Sequence, residues 1–213
     1  MNYRNFLAAC PIIPYICPMK NIAVFASGTG TNAQNLIRYF HIDHPEKEVA
    51  ISIVVSNRPK ALVVERARAL HVPTFIIDRH AFYSTPPAIL NVLLHHKIDV
   101  IVLAGFLWLI PPYLIKTYPH SIINLHPALL PAYGGKGMYG MFVHQAVVAN
   151  GELESGITIH LVDNQYDHGT PLFQASCRVE PGETPESLSY KIHLLEMEHF
   201  PKVVDEWING RLP

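Results

Sequence analysis

From Asn21 onward the chain alternates between short runs of β-branched and aliphatic residues and stretches with apolar residues every three or four positions. Ile22–Ala26 (IAVFA), Val49–Val55 and Thr74–Ile77 read as buried strands, and Asp99–Phe106 (DVIVLAGF) as the central one. Between them, helical spacing predicts helices near Asn32–Phe40, over Ala61–Leu70, and from Pro86-Pro87 through AILNVLLHHK, where proline suits a first turn. A helix opened by Pro111-Pro112 then leads into SIINLH. Strands that alternate with helices imply βαβ units and a parallel sheet with helices on both faces. After Gly156 the pattern changes to two alternating strands in succession, GITIHLVD and PLFQASCRV, which predicts an antiparallel addition. A last helix is expected from a cap at Thr184 to about Trp207. The fold class is therefore α/β: an open, mostly parallel twisted sheet flanked by helices, with antiparallel C-terminal strands.

The first 18 residues do not fit this pattern. They lack the basic start and continuous apolar core of a secretory signal, and Pro11, Pro14 and Pro18 break them up. Residues 1–18 are expected to be a floppy extension, with one domain over residues 19–213 opened by Met19.

Composition removes several function classes. A formal net charge of −1 without a basic cluster argues against a nucleic-acid partner. No apolar run approaches the roughly 18 residues of a membrane span. Cys10, Cys17 and Cys177 form no metal or redox motif, so a reducing cytoplasm is expected. The 13 histidines include no His-x-x-x-His pair, so no metal is expected either.

Two short stretches carry candidate chemistry. Gly28-Thr29-Gly30-Thr31-Asn32-Ala33 fits G-x-G-x-x-A after the first strand, but the second strand ends Ser-Asn-Arg-Pro without the acid that a dinucleotide ribose requires. A phosphomonoester held by the helix start and by Thr31 and Asn32 is the simpler reading, and a tight turn that binds nothing is the alternative. In Ile122–Tyr133 (IINLHPALLPAY), Asn124 and His126 are two apart on one strand face, and Pro127 places them at its carboxyl end. Two donors aimed at one point can hold an oxyanion; the alternative is an Asn that satisfies a loop and a core His. Asp167, in the polar loop Asp163–Gln174 between the last two strands, could keep His126 protonated or accept a proton directly or through water. Turn capping is its alternative role, for which Asp163 is the better placed residue.

These residues carry a family resemblance. Asn124-x-His126-Pro127-x-Leu129-Leu130-Pro131-x-Tyr133 with Asp167-x-Gly169 resembles the signature of formyltransferases that use 10-formyltetrahydrofolate. With SGTGTN, the SN after the second strand, LAGF at Leu103–Phe106 and GITIHLVD, the chain resembles the phosphoribosylglycinamide formyltransferase family from Lys20 to about Leu212. The resemblance implies a Rossmann-like formyltransferase fold and 10-formyltetrahydrofolate as co-substrate, with no metal. It implies direct attack of the glycinamide ribonucleotide amine on the formyl carbon. Asn124 and His126 would hold the oxyanion, and Asp167 would support His126 and assist proton transfer. The backbone at Gly30, Thr31 and Asn32 would hold the phosphate. Glu196 and His193 on the last helix would meet the substrate, a solvated helix charge being the alternative for Glu196. The pterin would lie against Leu107, Trp108, Leu109 and Ile110, Asn124, and the loop Asp163, Asn164, Gln165, Tyr166 and Asp167. Partners are then small molecules, and the protein a monomer or homodimer.

The near-neutral chain without a further domain is expected to differ from methionyl-tRNA formyltransferases, and its short start from formyltetrahydrofolate hydrolases. Two readings stay open beside the main one: transfer to another phosphorylated or nucleotide-sugar amine, and a non-catalytic phosphoribosyl-ligand sensor. The chain also departs from its relatives. Leu107-Trp108 stands where many have Met or Val followed by Arg, and an arginine near the folate tail is matched only by Thr85, with Arg79 nearby. Gly134–Gly140 (GGKGMYG) holds four glycines, which suggests a mobile loop, and Lys136 within it is either solvated or turned to an anion.

Overall fold

The computed structural model describes residues 19–84 and 88–212. One seven-stranded sheet runs through it, in the order β3-β2-β1-β4-β5-β6-β7. The strands are β1 Lys20–Ala26, β2 Val49–Ser56, β3 Thr74–Ile76, β4 Val100–Leu103, β5 Ile122–His126, β6 Glu154–Leu161 and β7 Pro171–Arg178. Strands β1 to β5 pair in parallel, and β6 and β7 are antiparallel. The helices are α1 Thr31–Arg38, α2 Leu62–Ala69, α3 Arg79–Tyr83, α4 Ala88–His95, α5 Pro112–Thr117, α6 Met141–Ala149 and α7 Pro185–Ile208.

The pleat divides the apolar strand residues between two cores. In β1, Ile22, Val24 and Ala26 face one side with α1, α2, α6 and α7, while Ala23 and Phe25 face the other with α3, α4 and α5. Both faces are covered, which is why this strand reads as a continuous apolar run. Strand β2 changes parity at a bulge: Ile51 and Ile53 pair with the consecutive Ile22 and Ala23. The extra residue, Ser52, donates its hydroxyl to Asn21 Oδ1 at 2.8 Å.

The differences from the sequence reading have local causes. The central strand stops at Leu103, because Gly105 takes a left-handed φ of 77° and turns the chain across the end of β1. Ser27 N–H donates to Gly105 O at 3.0 Å and Leu107 N–H to Ser27 Oγ at 3.1 Å, so these two loops are clamped together. The first helix ends at Arg38 and continues as a π-helical turn over Tyr39–Asp43. Helices α3 and α6 were not expected: α3 is only 5 residues long, capped by Asp78 on Ala81 N–H at 2.9 Å, and α6 begins directly after the glycine-rich loop. The Thr184 cap is present, accepting from Ser187 N–H at 3.2 Å. The expected extension over 1–18, Pro86-Pro87 and Thr85 lie outside the described residues.

Strand β1 has β2 on one side and β4 on the other, so the chain order reverses between β1 and β4. In open α/β sheets a crevice opens at the strand carboxyl ends beside such a switch point. The glycine loop follows β1 there, the turn at Gly105 follows β4, and the polar end of β5 is the next strand along.

Candidate active site

A cavity of about 750 Å³ occupies this crevice. Its wall contains Ser27–Asn32, Ala104–Leu107, Asn124–Pro127, Gly135–Gly140, Tyr166 and Asp167, with His193 and Glu196 contributed by α7. Ten of the expected site residues are thus brought together: Gly30, Thr31, Asn32, Leu107, Asn124, His126, Tyr166, Asp167, His193 and Glu196.

At one end is the glycine loop. Gly30 has φ 76°, and a Cβ there would lie 2.5 Å from the Val63 side chain, so both backbone and space demand glycine. Among the described residues no side chain caps α1, so the N–H groups of its first turn remain available to an anion. Asn32 differs from expectation: its amide donates to Glu196 Oε2 at 2.9 Å, so that donor is spent on α7. Its buried Oδ1 has no hydrogen-bond partner among the described residues. Glu196 also lies 3.4 Å from His193 Nδ1 and is only 15% exposed, which rules out a solvated helix charge. The hydrogen bond to Glu196 raises the His193 pKa, against an opposing effect of burial.

At the other end Asn124, His126 and Asp167 meet. Asp167 has a left-handed φ of 54°. Its Oδ2 accepts Gly135 N–H at 2.9 Å and its Oδ1 accepts Asn124 Nδ2 at 3.2 Å. Oδ1 also lies 3.4 Å from His126 Nδ1 and 3.7 Å from His160 Nε2. Burial by itself would raise the Asp167 pKa, but the imidazoles of His126 and His160 and the Gly135 N–H outweigh it and hold the carboxyl well below the usual range.

The ring nitrogens fix the proton positions. His160 Nδ1 is 2.8 Å from Leu161 O and must carry hydrogen, which leaves Nε2 bare to accept from Asn124 Nδ2 at 3.0 Å. The β5–β6 register sets His160 directly across from Asn124. His126 Nε2 lies 2.8 Å from the Tyr133 carbonyl while Nδ1 faces Asp167. Both His126 nitrogens therefore face acceptors, an arrangement that only a doubly protonated ring satisfies.

The glycine-rich loop is shaped by this cluster. Gly135, Gly137 and Gly140 have φ of 97°, 94° and 52°. A Cβ on Gly134 would come within 2.6 Å of Leu130 and 3.2 Å of Asp167. The four glycines thus supply turn geometry and close approach to Asp167. Lys136, on this loop, reaches the cavity wall, as does Arg58 from the end of β2.

Six expected pterin contacts lie elsewhere. Trp108 packs against Phe82, Tyr83 and Phe106, with the Arg79 guanidinium 6.0 Å above its ring. Ile110 is 2% exposed in the same core, and Leu109 offers its carbonyl to Tyr83 at 2.9 Å. Asp163 caps its own turn, accepting Gln165 N–H at 2.8 Å and pairing with His168 at 2.7 Å, and Asn164 and Gln165 are outside the cavity wall with it. Two residues of the site carry no motif signal: His160, visible only as a polar letter in an alternating strand, and His144 on the unexpected α6. Among the described residues no group of three or more His, Cys, Asp or Glu is placed to hold a metal ion, and no helix is long and apolar enough to cross a membrane.

Comparison with known proteins agrees with this geometry. The formyl transferase family model matches residues 20–204. The Arabidopsis thaliana chloroplastic phosphoribosylglycinamide formyltransferase is 36% identical over 202 residues, covering 90% of this chain and 68% of that protein. The Bacillus subtilis phosphoribosylglycinamide formyltransferase is 32% identical over 191 residues, covering 88% and 94% respectively. The crystal structure of glycinamide ribonucleotide transformylase 1 from Geobacillus kaustophilus superposes with a TM-score of 0.80 at 36% identity, covering 89% of this chain and 98% of that one. The chain belongs to the formyl transferase family and, within it, to the phosphoribosylglycinamide formyltransferases.

Proposed function

We propose that this chain transfers the formyl group of 10-formyltetrahydrofolate to the amine of 5'-phosphoribosylglycinamide, giving formylglycinamide ribonucleotide and tetrahydrofolate in purine biosynthesis. The observation that supports it most is the sharing of one cavity by an uncapped helix start and the Asn124–His126–Asp167 cluster. The first suits a phosphate and the second an acyl group, as the two ends of this substrate pair require. We place the reaction in the cytoplasm, with the protein a monomer or homodimer.

Attack of the amine on the formyl carbon builds negative charge on the formyl oxygen. Asn124 Nδ2 holds Asp167 by a bond of 3.2 Å, long enough to be exchanged for a tighter one to that oxyanion. The His126 imidazolium supplies positive charge beside it, and Asp167 keeps that ring charged and oriented. With its carboxyl held so low, Asp167 assists proton transfer as a fixed negative charge and not as a resting place for the proton. Its Oδ1 orients Asn124 as well, so one carboxylate sets both donors. At the far end the N–H groups of Gly30, Thr31 and Asn32 hold the phosphate, the Thr31 hydroxyl adds a donor, and Glu196 receives the ribose or glycinamide donors. Leu107, Tyr166 and the turn at Gly105 offer backbone groups to the pteridine.

Thr31→Val tests the phosphate end. The KM for glycinamide ribonucleotide should rise about tenfold, the worth of one hydrogen bond to a charged group, with kcat nearly unchanged. An unchanged KM in steady-state assays removes Thr31 from the phosphate site. The dephosphorylated nucleoside should be a poor substrate for the wild type and insensitive to the Thr31 substitution.

A further inference from the structure

His144 is the fourth residue of α6, and it projects into the cavity wall. It is only 4% exposed, yet its Nδ1 has no hydrogen-bond partner among the described residues. A buried ring nitrogen without a partner costs of order 1–3 kcal/mol, so its retention at a reaction cavity calls for a physical reason. Two charged groups bear on it, Glu196 from α7 and His126 from β5.

The mechanism above leaves one proton without a receiver. The substrate amine is an α-amino type, with an ordinary pKa of about 7.7–8.0, so near neutral pH it arrives largely as an ammonium with no lone pair to attack. His126 cannot take that proton, because both its nitrogens already face acceptors. His160 cannot either, since its bare Nε2 is occupied by Asn124. The Asp167 oxygens are taken by Asn124 and Gly135.

We infer that His144 is the base of the reaction, receiving on Nδ1 the proton that the substrate ammonium sheds before its nitrogen attacks the formyl carbon. The inference rests on the proposed function. In the step, one ammonium N–H bond breaks and its proton moves to the His144 lone pair, and the freed nitrogen pair forms the bond to the formyl carbon. A second amine proton accompanies the departing folate nitrogen, the third remains in the formamide product, and His144 releases its proton to solvent. The overall change is one ammonium plus one formylfolate to one formamide, one tetrahydrofolate and one proton. Burial lowers the His144 pKa, with Glu196 opposing and His126 adding to that effect, so the ring is neutral and ready to accept at pH 7.

The test is the pH dependence of kcat/KM for glycinamide ribonucleotide in the wild type and in His144→Gln, which keeps a polar side chain but removes the base. Loss of a general base should lower kcat/KM about 10²-fold at pH 7. The wild type should be nearly flat from pH 6.5 to 8. The variant, able to use only amine already deprotonated in solution, should rise close to tenfold per pH unit up to the amine pKa. His144→Asn should repeat this profile, and thermal melting identifies a variant that has not folded. A folded variant with the wild-type pH profile, whatever its KM, overturns the inference. Failure of the wild type to transfer formyl at all is a different result, and it would instead overturn the proposed function.

Discussion

Replacing His126 with alanine should lower kcat by about 10³-fold while leaving the KM for glycinamide ribonucleotide within a few-fold of wild type. The ring lies at the end of β5, 3% exposed, and its two nitrogens bridge the Tyr133 carbonyl and Asp167. Removing it takes away the positive charge beside the developing oxyanion, a loss felt chiefly in the transition state. It also leaves the Tyr133 carbonyl without its donor, at a stability cost of about 1–3 kcal/mol. Steady-state kinetics on both substrates, read with a thermal melt, separates these effects. A kcat within tenfold of wild type in a folded variant would remove His126 from the oxyanion site.

Asp167→Asn should combine loss of turnover with loss of stability. The amide cannot accept from Gly135, Asn124 and His126 together as the carboxylate does, so kcat should fall by about 10²-fold or more. At pH 7 the variant should be less stable by about 3 kcal/mol, since a buried positive imidazole loses its counter-charge. The sign of the pH dependence follows from the direction of the shift. The Asp167 pKa is depressed on folding, so its contribution is fully present above the ordinary carboxylate pKa of about 4 and is lost as the pH falls further. Urea melts of wild type and variant should therefore differ most at neutral pH and converge progressively below about pH 4. A difference that stays constant from pH 7 to pH 3 would show that Asp167 does not act through its charge.

The strands were legible because burial leaves a mark in the letters. With both faces of β1 covered, IAVFA cannot alternate, while the later strands pair polar with apolar positions as they approach the sheet edge. The reading of Asn124 and His126 as a pair needed only the strand period, and the family signature tied them to Asp167. Helix α6 was not legible: its apolar residues are spread around most of its circumference, and the preceding glycines drew the eye to a loop. The pterin wall was misplaced for a related reason. Leu107–Ile110 is an apolar run, and sequence cannot distinguish a run that lines a cleft from one whose Trp108 and Ile110 turn back into the core. His160 and His144 depend on strand register and helix packing, which no local pattern encodes. The protons on the imidazoles were further out of reach, since each is fixed by a carbonyl or carboxylate brought from a distant segment.

The central claim, that one cavity joins a phosphate site to a formyl-transfer site, is tested most directly by product analysis on the purified chain. Incubated with 10-formyltetrahydrofolate and glycinamide ribonucleotide, it should yield tetrahydrofolate and formylglycinamide ribonucleotide in equal amounts, with negligible free formate. Tetrahydrofolate accompanied by formate in place of the formylated nucleotide, or phosphoribosyl binding with no turnover, would contradict it.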